Sequence, residues 1–284
     1  MRESFPIVRQ PAPGAGTPIV VSVPHYGTEA LPQVTREDYC EPRFETFAYG
    51  FADLFACDLY GDLHAHGATV LATPVSRMFV DVNRRRDDFE QRDGAVCSKR
   101  GVVRTHTMRD VAIFARPLTP AELEARLRAH YDPYYATLAR LLGEVRAAHG
   151  YAILLDAHTG SPRRMGDHEV ILGTCRTSTC APALTAAVAE IFTRHGFRVA
   201  QNVSGYTGGN IVATYGRPHA GIHALQLEIN ASLLMTTSRE ELIALITRGG
   251  VPDRAEATIA RLRECLRETL ATLPSAVTAE KDAS

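Results

Sequence analysis

Eight residues in the middle of the chain, Ile153-Leu154-Leu155-Asp156-Ala157-His158-Thr159-Gly160, constrain the fold more than any other stretch. A run of large apolar residues stops on an Asp and a His, and a Gly follows. A strand without polar alternation is buried on both faces, as a central strand of an α/β sheet is. Such sheets bind their ligands beyond the carboxyl ends of their strands, which is where Asp156 and His158 fall. His158 is therefore a candidate metal ligand, and the rest of the chain must supply its partners.

Other segments repeat this grammar. Thr17–Pro24 is a β-branched run that ends on His25, Tyr26 and Gly27. Ala68–Pro74 and Val170–Thr174 read as strands, and Phe197–Ala200 leads into an edge strand. Ile222–Asn230 alternates, with Gln226, Glu228 and Asn230 on one side and Leu225 and Leu227 on the other. Apolar residues at helical spacing predict helices over 43–66, 119–150, 182–195, 239–248 and 254–272, with Pro133 as a kink or break in the second. Met78–Arg84 is expected to be extended. Residues 85–117 and 202–216 are expected to be loops, the second rich in tight glycine and asparagine positions. Strands alternating with long crossovers predict an α/β fold, with a mixed, mostly parallel central sheet flanked by helices. Residues 1–284 are expected to form a single domain, with 1–17 as an N-terminal arm and 275–284 as a frayed tail.

Composition serves mainly to exclude. The formal net charge is −1, which gives no field to attract nucleic acid or an anionic membrane surface. No apolar run is long enough for a spanning helix, and the N-terminus lacks a secretory layout, so a cytoplasmic protein is expected. The six cysteines are scattered without a C-x-x-C pair and are expected to be reduced, mostly structural thiols. Lys99 and Lys281 are the only lysines and neither has a desolvating neighbourhood, which disfavours lysine-based covalent catalysis.

Three polar clusters then stand at strand ends: His25, Asp156 with His158, and Glu228. Two imidazoles and a carboxylate suit a catalytic zinc site, which uses three protein ligands and keeps a fourth position for water. A further carboxylate can move the proton. Each His could equally be a satisfied core or surface histidine. Arg84 could bind a carboxylate through two parallel hydrogen bonds, with Asp81 and Asn83 beside it. It could also be one member of a solvated basic run, since Arg85 and Arg86 follow.

Taken together, the residues resemble the N-formylglutamate amidohydrolase family, which belongs with the zinc carboxypeptidases and aspartoacylases in fold. The matching pieces are Pro24-His25-Tyr26-Gly27-Thr28, Ser76-Arg77 with Asp81-Val82-Asn83-Arg84, Asp156-Ala157-His158, Gly208-Gly209 with Tyr215-Gly216-Arg217-Pro218, and Gln226-Leu227-Glu228. They occur in the family's order and cover roughly residues 18–235. The resemblance implies a zinc-carboxypeptidase-like fold and a zinc-dependent amide hydrolase with one catalytic Zn2+, acting on a small N-acyl amino acid. His25 and His158 would be ligands. Asp53 would be the third, matching an Asp the family carries ahead of its Leu-Tyr (here Leu59-Tyr60), with Glu29 second. Glu228 would be the general base and Arg77 would face the developing oxyanion. Arg84 and Asn83 would grip the substrate carboxylate, joined in the pocket by Gly209 and Asn210. Asp156 would hold a ligand's second nitrogen.

The chain also departs from the family pattern. After the paired glycines the family continues Tyr-Ile-Thr-Arg-His-Tyr-Gly, where this chain has Asn210-Ile211-Val212-Ala213-Thr214-Tyr215-Gly216, and Val75 replaces a His before Ser-Arg. An Arg lost from the pocket would alter the acyl amino acid that fits. A carboxypeptidase- or aspartoacylase-like hydrolase, or a non-catalytic zinc-containing binder of small acids, is the alternative. Ligand type leaves Fe²⁺, Co²⁺ and Mn²⁺ open beside zinc.

Overall fold

The Ile153–Gly160 run lies at the centre of a seven-stranded sheet. The computed structural model describes residues 5–40, 50–108, 110–248 and 250–282. In chain order the strands are β1 (Ile7–Arg9), β2 (Ile19–Val23), β3 (Thr69–Ala72), β4 (Glu90–Arg92), β5 (Ala95–Cys97), β6 (Ala152–Gly160), β7 (Val170–Gly173), β8 (Val199–Gln201) and β9 (Ile222–Asn230). The main sheet runs β1-β3-β2-β6-β9-β7-β8, while β4 and β5 form a separate hairpin. Pairing is parallel from β3 through β2 and β6 to β9, and again between β7 and β8; β1–β3 and β7–β9 are antiparallel. The architecture is the mixed, mostly parallel α/β sheet that the sequence predicts.

Both faces of β6 are covered, which explains its unbroken apolar run. On one face Ile153 and Leu155 join Val21 and Leu225 under α5 (Pro182–Arg194) and α8 (Glu256–Asp282). On the other, Leu154 and Val20 pack beneath α2 (Pro120–Arg126) and α3 (Asp132–His149) through Leu123, Leu138 and Leu142. A π-helical turn, Leu127–Tyr131, joins α2 to α3 just ahead of Pro133, so the proline meets a widened turn rather than ending the helix. Among the described residues, no helix is long and apolar enough to cross a membrane.

Several local expectations are corrected. Residues 43–49 of the helix expected over 43–66 lie outside the described residues. The remainder is not one helix: α1 is only Ala56–Tyr60, and a 3-10 turn follows at Leu63–His66. The break arises because Asp53 donates its backbone N–H to the His25 carbonyl at 2.8 Å and Phe55 takes φ 59°. Met78–Arg84 is a chain of turns, because the Asp81 carboxylate accepts the Asn83 N–H at 3.0 Å. The 85–117 segment holds the β4–β5 hairpin and buries Val96, Val102 and Ile113 against the second core layer. Within 202–216, Asn210–Tyr215 is helical (α6, with α4 at Pro162–Met165 and α7 at Arg239–Thr247). The N-terminal arm contributes edge strand β1, and α8 continues through Pro274 to Asp282, where the sequence predicts the helix to end by 272. No disulfide joins the six cysteines, and only Cys180 and Cys265 are buried, so burial does not account for the other four.

Candidate active site

Three strands deliver polar groups to one end of the sheet. The β6–β9 register sets His158 opposite Glu228 and Asp156 opposite Gln226, and the β2–β6 register sets Ser22 opposite Asp156. In-register positions on parallel neighbours point to the same face. His25 follows β2 by two residues, and the break ahead of α1 brings in Asp53. His25, Asp53 and His158 are all buried, and one ligand atom from each lies within 4.8 Å of the others. Asp53 Oδ2 is 2.8 Å from His158 Nδ1 and 3.8 Å from His25 Nδ1. Thr159 ties β6 to the same turn through its hydroxyl on the Leu54 carbonyl at 2.7 Å.

The far nitrogens of both imidazoles are pinned. Arg77 Nη1 donates to His25 Nδ1 at 2.8 Å, so that nitrogen carries a lone pair and the proton sits on Nε2, which donates to Asp81 Oδ1 at 2.7 Å. Burial lowers the His25 pKa, opposed by Asp81 and reinforced by Arg77, which keeps the ring neutral as a ligand must be. His158 Nε2 meets Asp156 Oδ2 at 3.1 Å. Burial pulls the His158 pKa down, but Asp156, Glu228 and Asp53 together hold it well above the usual histidine value. Its Nδ1 proton bridges to Asp53, at the place where a cation would replace it. Asp81 itself is held far below the ordinary carboxylate range: burial opposes ionisation, and the hydrogen bond from His25 with the charges of Arg77 and Arg84 overcomes it. The donor set and its supporting carboxylates fit a divalent ion with His/carboxylate preference.

Beside this triad lies a cavity of about 140 Å³, lined among others by Arg77, Arg84, Arg164, Tyr206, Gly209 and Glu228. Glu228 accepts a hydrogen bond from Gln226 Nε2 at 2.9 Å. Burial raises its pKa, against the pull of His158 and Arg77 and with help from Asp53 and Asp156. Its other oxygen lies beside Gly160, where an added Cβ would meet Met165 Sδ at 2.1 Å and come within 3.2 Å of Glu228 Oε2.

The structure brings together His25, Asp53, His158, Asp156, Arg77, Arg84, Asn83, Gly209 and Glu228. It does not bring in Glu29, which is exposed and pairs through its backbone with Val75. Asn210 is also elsewhere: its amide donates to Tyr135 Oη at 2.6 Å, and it does not line the cavity. Asn83 lines the cavity, but both its polar atoms are engaged. Nδ2 donates to Asp156 at 2.9 Å, and Oδ1 accepts the Ile211 N–H at 3.0 Å. Gly209 lies so close that a Cβ would be 2.4 Å from Asn83 Oδ1. Ala213 and Thr214, the departures from the family pattern, are exposed on α6 and do not line the cavity.

Sequence reasoning missed four residues. Asp81 was noted only as a neighbour of Arg84, yet it orients His25. Arg104, buried, stands 3.8 Å from the Asp81 carboxylate and over the Phe51 ring. Arg164 follows β6 on the short helix α4, and Tyr206 comes from the loop after β8. Two of these could have been suspected, Asp81 from its two-residue spacing to Asn83 and Arg164 from its place just beyond a ligand-bearing strand.

A family profile described as N-formylglutamate amidohydrolase matches residues 17–235. The chain is 32% identical over 269 residues to an N-formylglutamate deformylase of Pseudomonas aeruginosa, covering 89% of this chain and 93% of the relative. It is 31% identical over 240 residues to one of Pseudomonas putida, covering 79% and 86%. The crystal structure of an N-formylglutamate amidohydrolase from Ralstonia eutropha superposes with a TM-score of 0.78 at 23% identity, over 98% of this chain and 99% of that one. At that identity the superposition bears on the fold alone.

Proposed function

The chain belongs to the N-formylglutamate amidohydrolase family, and on that premise we propose that it is a zinc-dependent hydrolase of N-formylglutamate or a near relative, releasing formate and the free amino acid. The observation that carries this reading is the convergence of His25, Asp53 and His158 in a cavity that also holds the Glu228 carboxylate. Three N/O ligands with an adjoining cavity suit a catalytic rather than a structural zinc site. His25, Asp53 and His158 would hold the ion, the Arg77 donor giving up the His25 Nδ1 lone pair to it, and the ion would supply Lewis-acid polarisation of the formyl carbonyl and acidify a water.

The remaining work falls to the chain's own groups. Glu228 takes the proton of the attacking water and returns it to the departing amine nitrogen, and its raised pKa suits both transfers. Arg84 binds the α-carboxylate. Arg77 stabilises the developing oxyanion with a fixed positive charge. Asp156 and Asn83 act one step back, orienting His158, and Asp81 does the same for His25.

The test pairs metal quantification with formate release from N-formylglutamate on one sample. About one zinc per chain with formate release is expected. A zinc-loaded protein that cleaves no formyl, acetyl or peptidyl amino acid would overturn the reading and favour a small-acid binder.

A further inference from the structure

Four guanidiniums gather around the cavity, and their partners divide them. Arg77 is fully engaged: Nε donates to the Phe51 carbonyl at 2.7 Å, Nη1 to His25, and Nη2 is 3.4 Å from Asp53. Arg104 donates to the Lys99 carbonyl at 3.0 Å, sits over Phe51, and does not line the cavity. Arg84 and Arg164 both line it, and among the described residues neither guanidinium makes a hydrogen bond. Asp81 Oδ2 lies 3.8 Å from Arg84 Nε, an ion pair beyond hydrogen-bond distance that it shares with Arg104 at 3.8 Å, while Asp81 Oδ1 accepts from His25.

Arg164 is presented by a well-anchored turn. Its neighbour Met165 is buried, so close to Gly160 that a Cβ there would meet Met165 Sδ at 2.1 Å. Asn230, at the end of β9, donates to the Gly166 and His168 carbonyls at 3.1 and 2.8 Å. The backbone that carries Arg164 is therefore fixed to the ends of both site-bearing strands. Two guanidiniums with no hydrogen-bond partner line one small cavity, and a ligand with a single carboxylate can engage only one of them through paired N–H donors; a ligand with two carboxylates can engage both.

Resting on the hydrolase reading above, we propose that Arg164 is the specificity-determining residue of the site: it binds the side-chain carboxylate of a dicarboxylic substrate, while Arg84 binds the α-carboxylate. Arg164, exposed while the cavity is empty, thus selects an acidic over a neutral acyl amino acid, because an uncharged side chain seated against it would displace the guanidinium's water without supplying an anion in return.

The test compares N-formylglutamate, N-formylglutamine and N-formyllysine on the metal-loaded full chain and on Arg164→Gln and Arg164→Glu. The wild type is expected to prefer N-formylglutamate to N-formylglutamine by roughly 100-fold in kcat/KM. Arg164→Gln should bring that ratio close to unity, mainly through KM, and Arg164→Glu should move the preference toward N-formyllysine. An unchanged ratio in both variants, with wild-type melting temperatures, overturns the assignment and leaves the hydrolase reading intact. Should no substrate be cleaved, glutarate and butyrate serve as probes of the subsite alone. Thermal stabilisation by glutarate over butyrate that disappears in Arg164→Gln upholds the subsite. Equal stabilisation of wild type and variant overturns it.

Discussion

At the residue scale the site divides into groups that would touch the substrate and groups that aim them. Replacing Glu228 with Gln keeps size and the Gln226 contact but removes the base. We expect zinc content to be retained and kcat to fall about 1,000-fold; near-normal turnover in a zinc-replete sample would remove Glu228 from the chemistry. Asp81→Asn tests the aiming. An amide can accept the His25 Nε2 proton only weakly, so zinc affinity, read by competition with a chelator, should drop roughly 10- to 100-fold. An unaltered affinity would mean that His25 needs no such support. Replacing Arg84 with Ala should raise KM for carboxylated substrates more than it lowers kcat, and steady-state kinetics at saturating zinc would show the split.

At the scale of elements, close backbone approach decides where the ligands stand. Gly27 packs so near β3's end that a Cβ would lie 2.2 Å from the Pro74 carbonyl carbon. A backbone obstacle cannot rotate away, so Gly27→Ala should destabilise the fold by about 1–3 kcal/mol and weaken zinc binding with it, measured by denaturant unfolding and metal titration. A stable variant with full affinity would show that β2's end tolerates displacement. The elements also explain what was readable in the chain. β6, β2 and β9 were legible because burial on two faces, or alternation, writes itself into local composition, and the polar stops on His25, His158 and Glu228 mark the carboxyl ends. The break at Asp53 was not, since Phe51, Leu54, Phe55 and Leu59 keep a helical spacing that tertiary contact with the His25 carbonyl overrides. Asn210 was misplaced because no local pattern distinguishes a helix start facing Tyr135 from a loop facing a cavity. Arg164 was legible only by its place just beyond β6, since an exposed arginine after a Ser-Pro pair is compositionally unremarked and only the fold supplies its neighbours.

At the scale of the whole molecule, the proposed ligand set joins β2, the turn before α1 and β6, so zinc that binds only the folded chain should stabilise all of it. At a free concentration 100 times the dissociation constant the gain is about 2.7 kcal/mol, visible as a melting temperature that rises with added zinc and falls with chelator. A melting temperature indifferent to zinc would separate the site from the fold. A second global effect lies on the far layer. His130 is 7% exposed with its Nδ1 unbonded, and burial, with Arg126 nearby, lowers its pKa from 6.5 to about 4. The fold holds this ring neutral, so its contribution is complete above 6.5 and is lost as pH falls toward 4, where the unfolded chain takes up a proton the folded one resists. Urea midpoints should fall less across that window for His130→Gln than for the wild type; parallel curves would assign acid sensitivity elsewhere. The strand order carries one more consequence, in the time domain of synthesis. β6 sits between β2 and β9, and among the described residues β9 is the last strand, beginning at Ile222. A ribosome that has finished β6 therefore holds a long, apolar, one-sided sheet whose open edge awaits a partner not yet made. Nascent chains halted before Ile222 should need a chaperone on that edge, and premature termination there should yield aggregates rather than a smaller working protein.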